Sequence, residues 1–294
     1  MNKPPLELRR IRDFGQCIAD SFRFLKENFK PLTRSVLAIC GIFILASFIT
    51  TYLQYSQMFN GIEERSAPLQ TRFGFSYFAN LIALSLAYFA LFTTINAYVA
   101  LALNKKNEKP VLAEVWAYVT YYFWRVAGAF ILGYIVLVLG FVLCLVPGIW
   151  MFPIFTMIFP VIMIENASFG YAVERSRFLV KDNWWPTFGV IVVSGIIGTI
   201  PGYFIGIIIG IISGVSMYFY TGGIGKALGI GFAFMQAVFQ LVYIFPAIAS
   251  TIWYLSLVEQ KEGVGIMERI AALGEAETGE DPDPGYSEDF DEHG

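Results

Sequence analysis

The stretch TFGVIVVSGIIGTIPGYFIGIIIGIISG, residues 187–214, decides the fold class of this chain. It contains no charged side chain, and about 20 apolar residues are enough to cross a bilayer as a helix. Glycine recurs in it at every fourth position, at Gly198, Gly202, Gly206, Gly210 and Gly214. In a helix this spacing places the glycines on one face, which another helix can approach closely. The face is predicted to serve packing within the chain, self-association, or a pathway lined by glycine backbone.

Five further apolar runs accompany this stretch, and more polar segments or a Pro-Gly pair separate the six. The six runs cover residues 35–54, 75–103, 126–146, 148–164, 187–214 and 232–258. Hydrophobic residues make up 56% of the 294-residue chain and charged residues 15%, whereas a soluble domain is about 25% charged. This composition argues against a soluble enzyme, a disordered chain and a nucleic-acid-binding module. We predict an all-α protein, a polytopic bundle of six transmembrane helices over residues 35–258.

Prolines affect two of the six runs. Pro201 interrupts the glycine stretch, where it predicts a kink or a local break. The run 148–164 is short for a membrane span and contains two prolines, which makes it the weakest of the six. Pro147 and Gly148 stand where it begins and predict a tight turn, so that the third and fourth helices form a hairpin.

The charges of the connecting segments predict the orientation of the bundle. With a cytoplasmic N-terminus, the cytoplasmic segments carry 17 Lys and Arg residues and the outer segments carry three. Loops rich in Lys and Arg stay in the cytoplasm, so both termini are predicted to lie there. Residues 1–34 then form a cytoplasmic amphipathic segment, and residues 259–294 form a cytoplasmic tail. From about residue 274 the tail is predicted to be disordered, because it contains nine carboxylates and no Lys or Arg.

Amphipathic helices are predicted in the polar segments that precede membrane runs. Residues 13–30 and 168–181 each show an apolar stripe at helical spacing. Such helices can lie in the headgroup plane as interfacial helices, where anionic lipid would attract Lys26, Lys30 and Arg34. The alternative is an ordinary elbow helix that orients the next span.

An internal repeat is also predicted. The sequence KENFKP at 26–31 is similar to KDNWWP at 181–186, and both precede a membrane run. Residues 111–125 occupy the same place before the third run but share little sequence with the other two. The predicted repeat therefore has three units, each a surface helix followed by a helical hairpin.

Side chains for common catalytic centres are scarce. The one histidine, His293, lies in the acidic tail, which argues against a catalytic relay or an imidazole metal centre. The three cysteines show neither metal-ligand nor disulfide-framework spacing. The sequence contains no P-loop and no HExxH motif. We predict that the chain is not an enzyme and binds no metal or cofactor.

Few polar side chains fall within or beside the runs, and these are the candidate contacts for a lipid or a substrate. Glu165 closes the fourth run, and Gln236 and Gln240 lie one turn apart on one face of the sixth. Arg175 and Asn183 lie between the fourth and fifth runs. Hydrogen bonds between helices would explain the two glutamines as well as substrate binding does. The scarcity of buried acidic and basic side chains argues against a proton-coupled pump.

Short motifs in the second half of the chain resemble a bacterial membrane-protein family. They are VPGIW at 146–150, IEN at 164–166, AVERS at 172–176, NWW at 183–185, WYLSL at 253–257 and EG at 262–263. Over roughly residues 100–273 they resemble the six-helix membrane domain attached to some glycerophosphodiester phosphodiesterases, and its stand-alone relatives of the YciC type. The resemblance implies a bacterial inner-membrane location and supplies no catalytic residue. The phosphodiesterase domain has no counterpart here, so its activity is not expected.

These observations lead to one functional prediction and one main alternative. The prediction is a non-enzymatic inner-membrane protein, either a lipid-contacting scaffold or an envelope-associated protein. Membrane lipids are its expected partners, a second copy or another membrane protein is the candidate protein partner, and nucleic acid is not expected. The alternative is a permease or flippase subunit for an apolar or amphiphilic substrate, with Gln236 and Gln240 as contacts. An intramembrane hydrolase would require an acidic pair facing a cavity, which the sequence does not indicate.

Overall fold

The computed structural model describes residues 6–63, 74–105, 108–143, 145–219, 224–264 and 267, so the acidic tail from residue 274 lies outside the described residues. Within these ranges the chain forms eight α-helices and no strand. They are α1 (Phe14–Glu63), α2 (Phe75–Asn104), α3 (Leu112–Leu143), α4 (Leu145–Ile164), α5 (Phe169–Val180), α6 (Trp184–Phe219), α7 (Ile224–Val242) and α8 (Ile244–Glu262). Six helical segments are long and apolar enough to cross a membrane, judged by length and composition. The predicted fold class is confirmed.

Helix α1 joins two segments that the sequence predicts to be separate. The amphipathic segment 13–30 and the run 35–54 belong to one helix of 50 residues, with Pro31 inside it. Proline has no backbone N–H to donate to the carbonyl of Glu27, four residues earlier. The Nζ of Lys109, from the connection between α2 and α3, donates to that carbonyl at 2.7 Å. This lysine supplies the hydrogen bond that proline cannot, and the helix continues through position 31.

The other predicted surface segments have different outcomes. Residues 168–181 give a helix of their own, α5, whereas residues 111–125 form the first part of α3. The prediction of a surface helix separate from the next span is therefore wrong for the units at 13–30 and 111–125. The similar segments 26–31 and 181–186 also differ, because the first lies inside α1 and the second contains the turn between α5 and α6. Six similar residues do not determine a break, since the break also depends on distant partners such as the Lys109 ammonium.

Helices α3 and α4 form the predicted hairpin. One residue separates the end of α3 at Leu143 from the start of α4 at Leu145. Pro147 and Gly148 therefore lie in the first turn of α4 rather than between the helices, and proline is tolerated there because the first N–H groups of a helix lack partners. A Cβ on Gly140 would lie 3.3 Å from the Cα of Gly148, so the two backbones pass close to each other.

The last predicted run, 232–258, is divided at Tyr243 into α7 and α8. Pro246 explains the division, because it has no N–H for the carbonyl of Val242. Helix α8 is the central helix, and every residue from Ile244 to Leu257 is buried. Helices α3 and α6, by contrast, expose many large apolar side chains, which is the surface expected of helices that face lipid.

The glycine face of α6 packs against α7 and α8. A Cβ on Gly202 would lie 2.5 Å from the ring of Phe239, and a Cβ on Gly206 would lie 2.7 Å from the Sδ of Met235. A Cβ on Gly198 would lie 3.1 Å from the ring of Pro246. Gly210 and Gly214 belong to the same helix, but the structure does not describe their surroundings. Helix α6 is continuous through position 201, so the predicted local break is absent there.

Candidate functional site

Glu165 follows the last residue of α4, and its carboxylate accepts hydrogen bonds from two neighbouring helices. Asn166 has a φ of 52°, a left-handed conformation that ends the helix and that asparagine tolerates. Glu165 therefore lies at the helix C-terminus, where the helix dipole disfavours a carboxylate. The Nε of Arg175 in α5 donates to both carboxylate oxygens, at 3.1 and 3.2 Å. The hydroxyl of Tyr254 in α8 donates to Oε1 at 2.6 Å.

Arg175 joins a second carboxylate to this group. Its Nη1 lies 2.5 Å from Oε1 of Glu262, at the end of α8. The carboxylates of Glu262 and Glu165 raise the pKa of the Arg175 guanidinium above its ordinary value, so it stays cationic at any physiological pH. The side chains of Arg175 and Glu165 are only 12% and 20% exposed, so water screens their ion pair weakly. We call Glu165, Arg175, Tyr254 and Glu262 the Glu165 cluster.

A cavity of about 310 Å³ opens beside the Glu165 cluster. Arg9, Tyr171 and Glu259 also line it. Three carboxylates, those of Glu165, Glu259 and Glu262, face this cavity, and an acidic pair facing a cavity is what a hydrolase would require. The Arg175 guanidinium binds two of them, Glu165 and Glu262. A general acid or base has to reach the proton that it transfers, whereas Arg175 and Tyr254 engage both oxygens of Glu165, and Arg175 also engages Oε1 of Glu262. The arrangement therefore connects α4, α5 and α8 and is more typical of a structural ion-pair network.

Asn183 lies in a separate group of contacts that also reaches the end of α8. Its Nδ2 donates to Oε1 of Gln260 at 3.2 Å, and the adjacent Asp182 pairs with Lys261. Lys261 lowers the pKa of the Asp182 carboxyl. The stabilisation from this ion pair is therefore present above the ordinary pKa of aspartate and is lost as the pH falls through the lowered value.

Gln236 and Gln240 lie in α7 and bind other helices. Gln240 is fully buried, and its Nε2 donates to the Oγ of Ser47 in α1 at 2.8 Å. The Nε2 of Gln236 donates to the hydroxyl of Tyr88 in α2 at 3.4 Å. Neither of these contacts involves the Glu165 cluster. Hydrogen bonding between helices accounts for both glutamines, as one of the two interpretations of the sequence expects.

Sequence reasoning missed the partners of the residues that it named. Tyr254 lies inside an apolar run and Glu262 lies 97 positions after Glu165, so spacing connects neither of them to Glu165. Arg125, whose Nη1 donates to the Oδ1 of Asn166 at 2.7 Å, was missed for the same reason. The signal that could have found them is chemical: a carboxylate at a helix C-terminus requires donors from neighbouring helices.

The search for a metal site and the comparisons with known proteins both gave negative results. Among the residues that the structure describes, no three His, Cys, Asp or Glu side chains could hold a metal ion together. Comparisons with protein-family models, curated proteins and solved structures gave no match. The family resemblance of the motifs at 146–150 and 172–176 stays a prediction.

Proposed function

We propose that this chain is a non-enzymatic protein of the bacterial inner membrane, a lipid-contacting helical scaffold with both termini in the cytoplasm. The observation that carries the proposal is the pairing of interior polar side chains between helices. Thr251 donates to Asn96 at 3.0 Å, and Trp253 donates to Thr187 at 2.9 Å. The Glu165 cluster and the bond from Gln240 to Ser47 follow the same pattern. Side chains that could serve chemistry or transport instead hold the helices together.

The outer surface supports contact with lipid. Helix α3 exposes Ile131, Leu132 and Ile135, and α6 exposes a comparable row of isoleucines. Trp124 and Trp185, near the predicted cytoplasmic side, are 82% and 75% exposed. Tryptophan favours the membrane interface, where its ring is partly in hydrocarbon and its N–H is near water. The exposed surface therefore suits a bilayer better than water.

Lipid flux distinguishes the scaffold from the flippase alternative. The purified chain is reconstituted into vesicles of phosphatidylcholine with a trace of NBD-labelled phosphatidylglycerol, and dithionite is added outside to bleach the outer leaflet. We expect the protected fluorescence to equal that of protein-free vesicles, because the candidate substrate contacts Gln236 and Gln240 are bound to side chains of other helices. If protection fell as protein per vesicle rose, the scaffold proposal would be wrong. Loss of that flux in Gln236→Leu and Gln240→Leu would then favour the alternative.

A further inference from the structure

A basic pocket and an apolar crevice meet at one face of α1, lined by residues other than those of the Glu165 cluster. The pocket, of about 640 Å³, is lined chiefly by Phe22, Leu25, Lys26, Phe29, Lys30 and Lys109. The crevice, of about 220 Å³, lies between α1, α6 and the junction of α7 with α8. Phe22, Leu25 and Phe29 line both cavities, so the basic pocket and the crevice are contiguous.

The basic pocket carries uncompensated positive charge. Among the described residues that line it, Glu27 is the one acidic side chain, and Arg23 binds it with its Nε 2.7 Å from Oε1. Lys26 and Lys30 are exposed and lie one turn apart, and within the described part of the chain neither makes an ion pair or a side-chain hydrogen bond. Like charges at this spacing repel each other. An anion between the two ammonium groups would relieve that repulsion.

Lys109 is a third cation, and the fold holds it in place. Its Nζ donates to the Glu27 carbonyl that Pro31 leaves without an N–H partner. This acceptor is an uncharged carbonyl, so the bond positions the ammonium without neutralising it. An ammonium has three protons, and two remain for a ligand.

The crevice offers apolar walls next to these charges. Thr33, Ile197 and Leu241 line it together with the three apolar residues shared with the pocket. The rings of Phe22 and Phe245 lie 4.2 Å apart at one side. Phe22 and Phe29 are exposed large apolar side chains beside ammonium groups, a combination that suits an amphiphile with an anionic head.

We propose that this site binds one anionic phospholipid, with its phosphate on Lys26, Lys30 and Lys109 and one acyl chain in the crevice. The proposal rests on the proposed lipid-contacting function and deepens it by naming the lipid class and its place. The three lysines lie in segments predicted to be cytoplasmic, where anionic lipids attract basic side chains. A zwitterionic lipid carries its own ammonium group, which these lysines would repel.

Lipid titration of the full chain in detergent, followed by native mass spectrometry, tests the site. The probes are dioleoylphosphatidylglycerol and dioleoylphosphatidylcholine. We expect the Lys26→Gln/Lys30→Gln double variant to bind the anionic lipid about 25-fold more weakly, roughly fivefold for each lysine, with no change for the zwitterionic lipid. The matched control is Arg177→Gln/Lys181→Gln, which removes two exposed charges from α5 and its end and should change the affinity less than twofold. Equal losses in the two double variants would overturn the proposal.

A second variant tests the acyl-chain part of the site. Thr33→Trp fills the crevice and is expected to weaken binding of the anionic lipid at least tenfold, although every lysine remains. Unchanged affinity in this variant would overturn the proposal. If its thermal midpoint shows that it fails to fold, Ile197→Trp on the opposite wall replaces it. If the vesicle assay detects lipid flux while the lipid titration behaves as expected, the scaffold function is wrong and the binding site stands. If the vesicle assay detects no flux while the lipid titration fails, the binding site is wrong and the scaffold function stands.

Discussion

Arg175→Ala is expected to lower the free energy of unfolding of the bundle by about 3 kcal/mol, because it leaves two carboxylates without their shared cation. Glu165 would remain at the C-terminus of α4, where the helix dipole opposes its charge, and Glu262 would lose its contact of 2.5 Å. The loss of one partner from a largely buried ion pair costs about this much. Unfolding of the purified chain in detergent, followed by circular dichroism, measures the change.

Arg177→Ala is the matched control for this prediction. Arg177 lies on the same helix and is exposed, and in the described ranges it forms no ion pair. We expect its replacement to change the free energy of unfolding by less than about 0.5 kcal/mol. Arg175→Lys should recover only part of the loss, since an ammonium lacks the planar fork that reaches both carboxylates. Equal effects of Arg175→Ala and Arg177→Ala would show that the Glu165 cluster does not hold the helices together.

Gly202→Leu is expected to lower the free energy of unfolding by roughly 2–3 kcal/mol, because it forces a side chain into the contact between α6 and α7. Even a Cβ at this position would lie 2.5 to 2.8 Å from three ring atoms of Phe239. The Phe239 ring is also packed edge-on against Tyr203, with centroids 5.7 Å apart. Relief therefore requires a shift of the helices or of several side chains. The same unfolding assay in detergent measures the loss.

Gly195→Leu separates this packing effect from the general effect of replacing glycine in a helix. Gly195 lies on α6 as well, but a Cβ there would have no atom within 4 Å. Leucine favours the helix over glycine by up to about 1 kcal/mol, so the control should be neutral or slightly stabilising. Comparable destabilisation by both variants would contradict the assignment of Gly202 to a close helix contact.

The helical spans were predictable because each one is a local property of the sequence. A run such as 187–214 must form its backbone hydrogen bonds internally in hydrocarbon, so its length and lack of charge are enough to predict a helix. The breaks were less predictable, because they depend on distant groups. Pro31 indicates a break in sequence, yet Lys109 removes the reason for one. Pro246 lies in an apolar run, and it explains the division at Tyr243 through the carbonyl of Val242.

The sequence predicted individual residues of the candidate site but not the contacts between them. Glu165 and Arg175 stood out as charges beside apolar runs, but their connection through Tyr254 depends on how α8 packs in the centre of the bundle. Glycine spacing likewise found the face of α6 and missed Gly229. A Cβ on Gly229 would lie 3.1 Å from the backbone oxygen of Tyr52 in α1. Gly225 stands four positions before Gly229, so the same spacing is present in α7, but two glycines stand out less than the five of α6.

Labelling of single cysteines tests the topology directly. In a chain with Cys17, Cys40 and Cys144 replaced by alanine, one new cysteine is placed at Asn2, at Ser66 or at Ser287. A membrane-impermeant maleimide is then applied to intact bacterial spheroplasts and, separately, to opened membranes. Six spans with cytoplasmic termini predict labelling of the Ser66 position in both preparations, and of the two terminal positions only after the membrane is opened. Labelling of one terminus but not the other in intact spheroplasts would mean an odd number of crossings and would contradict the six-span bundle.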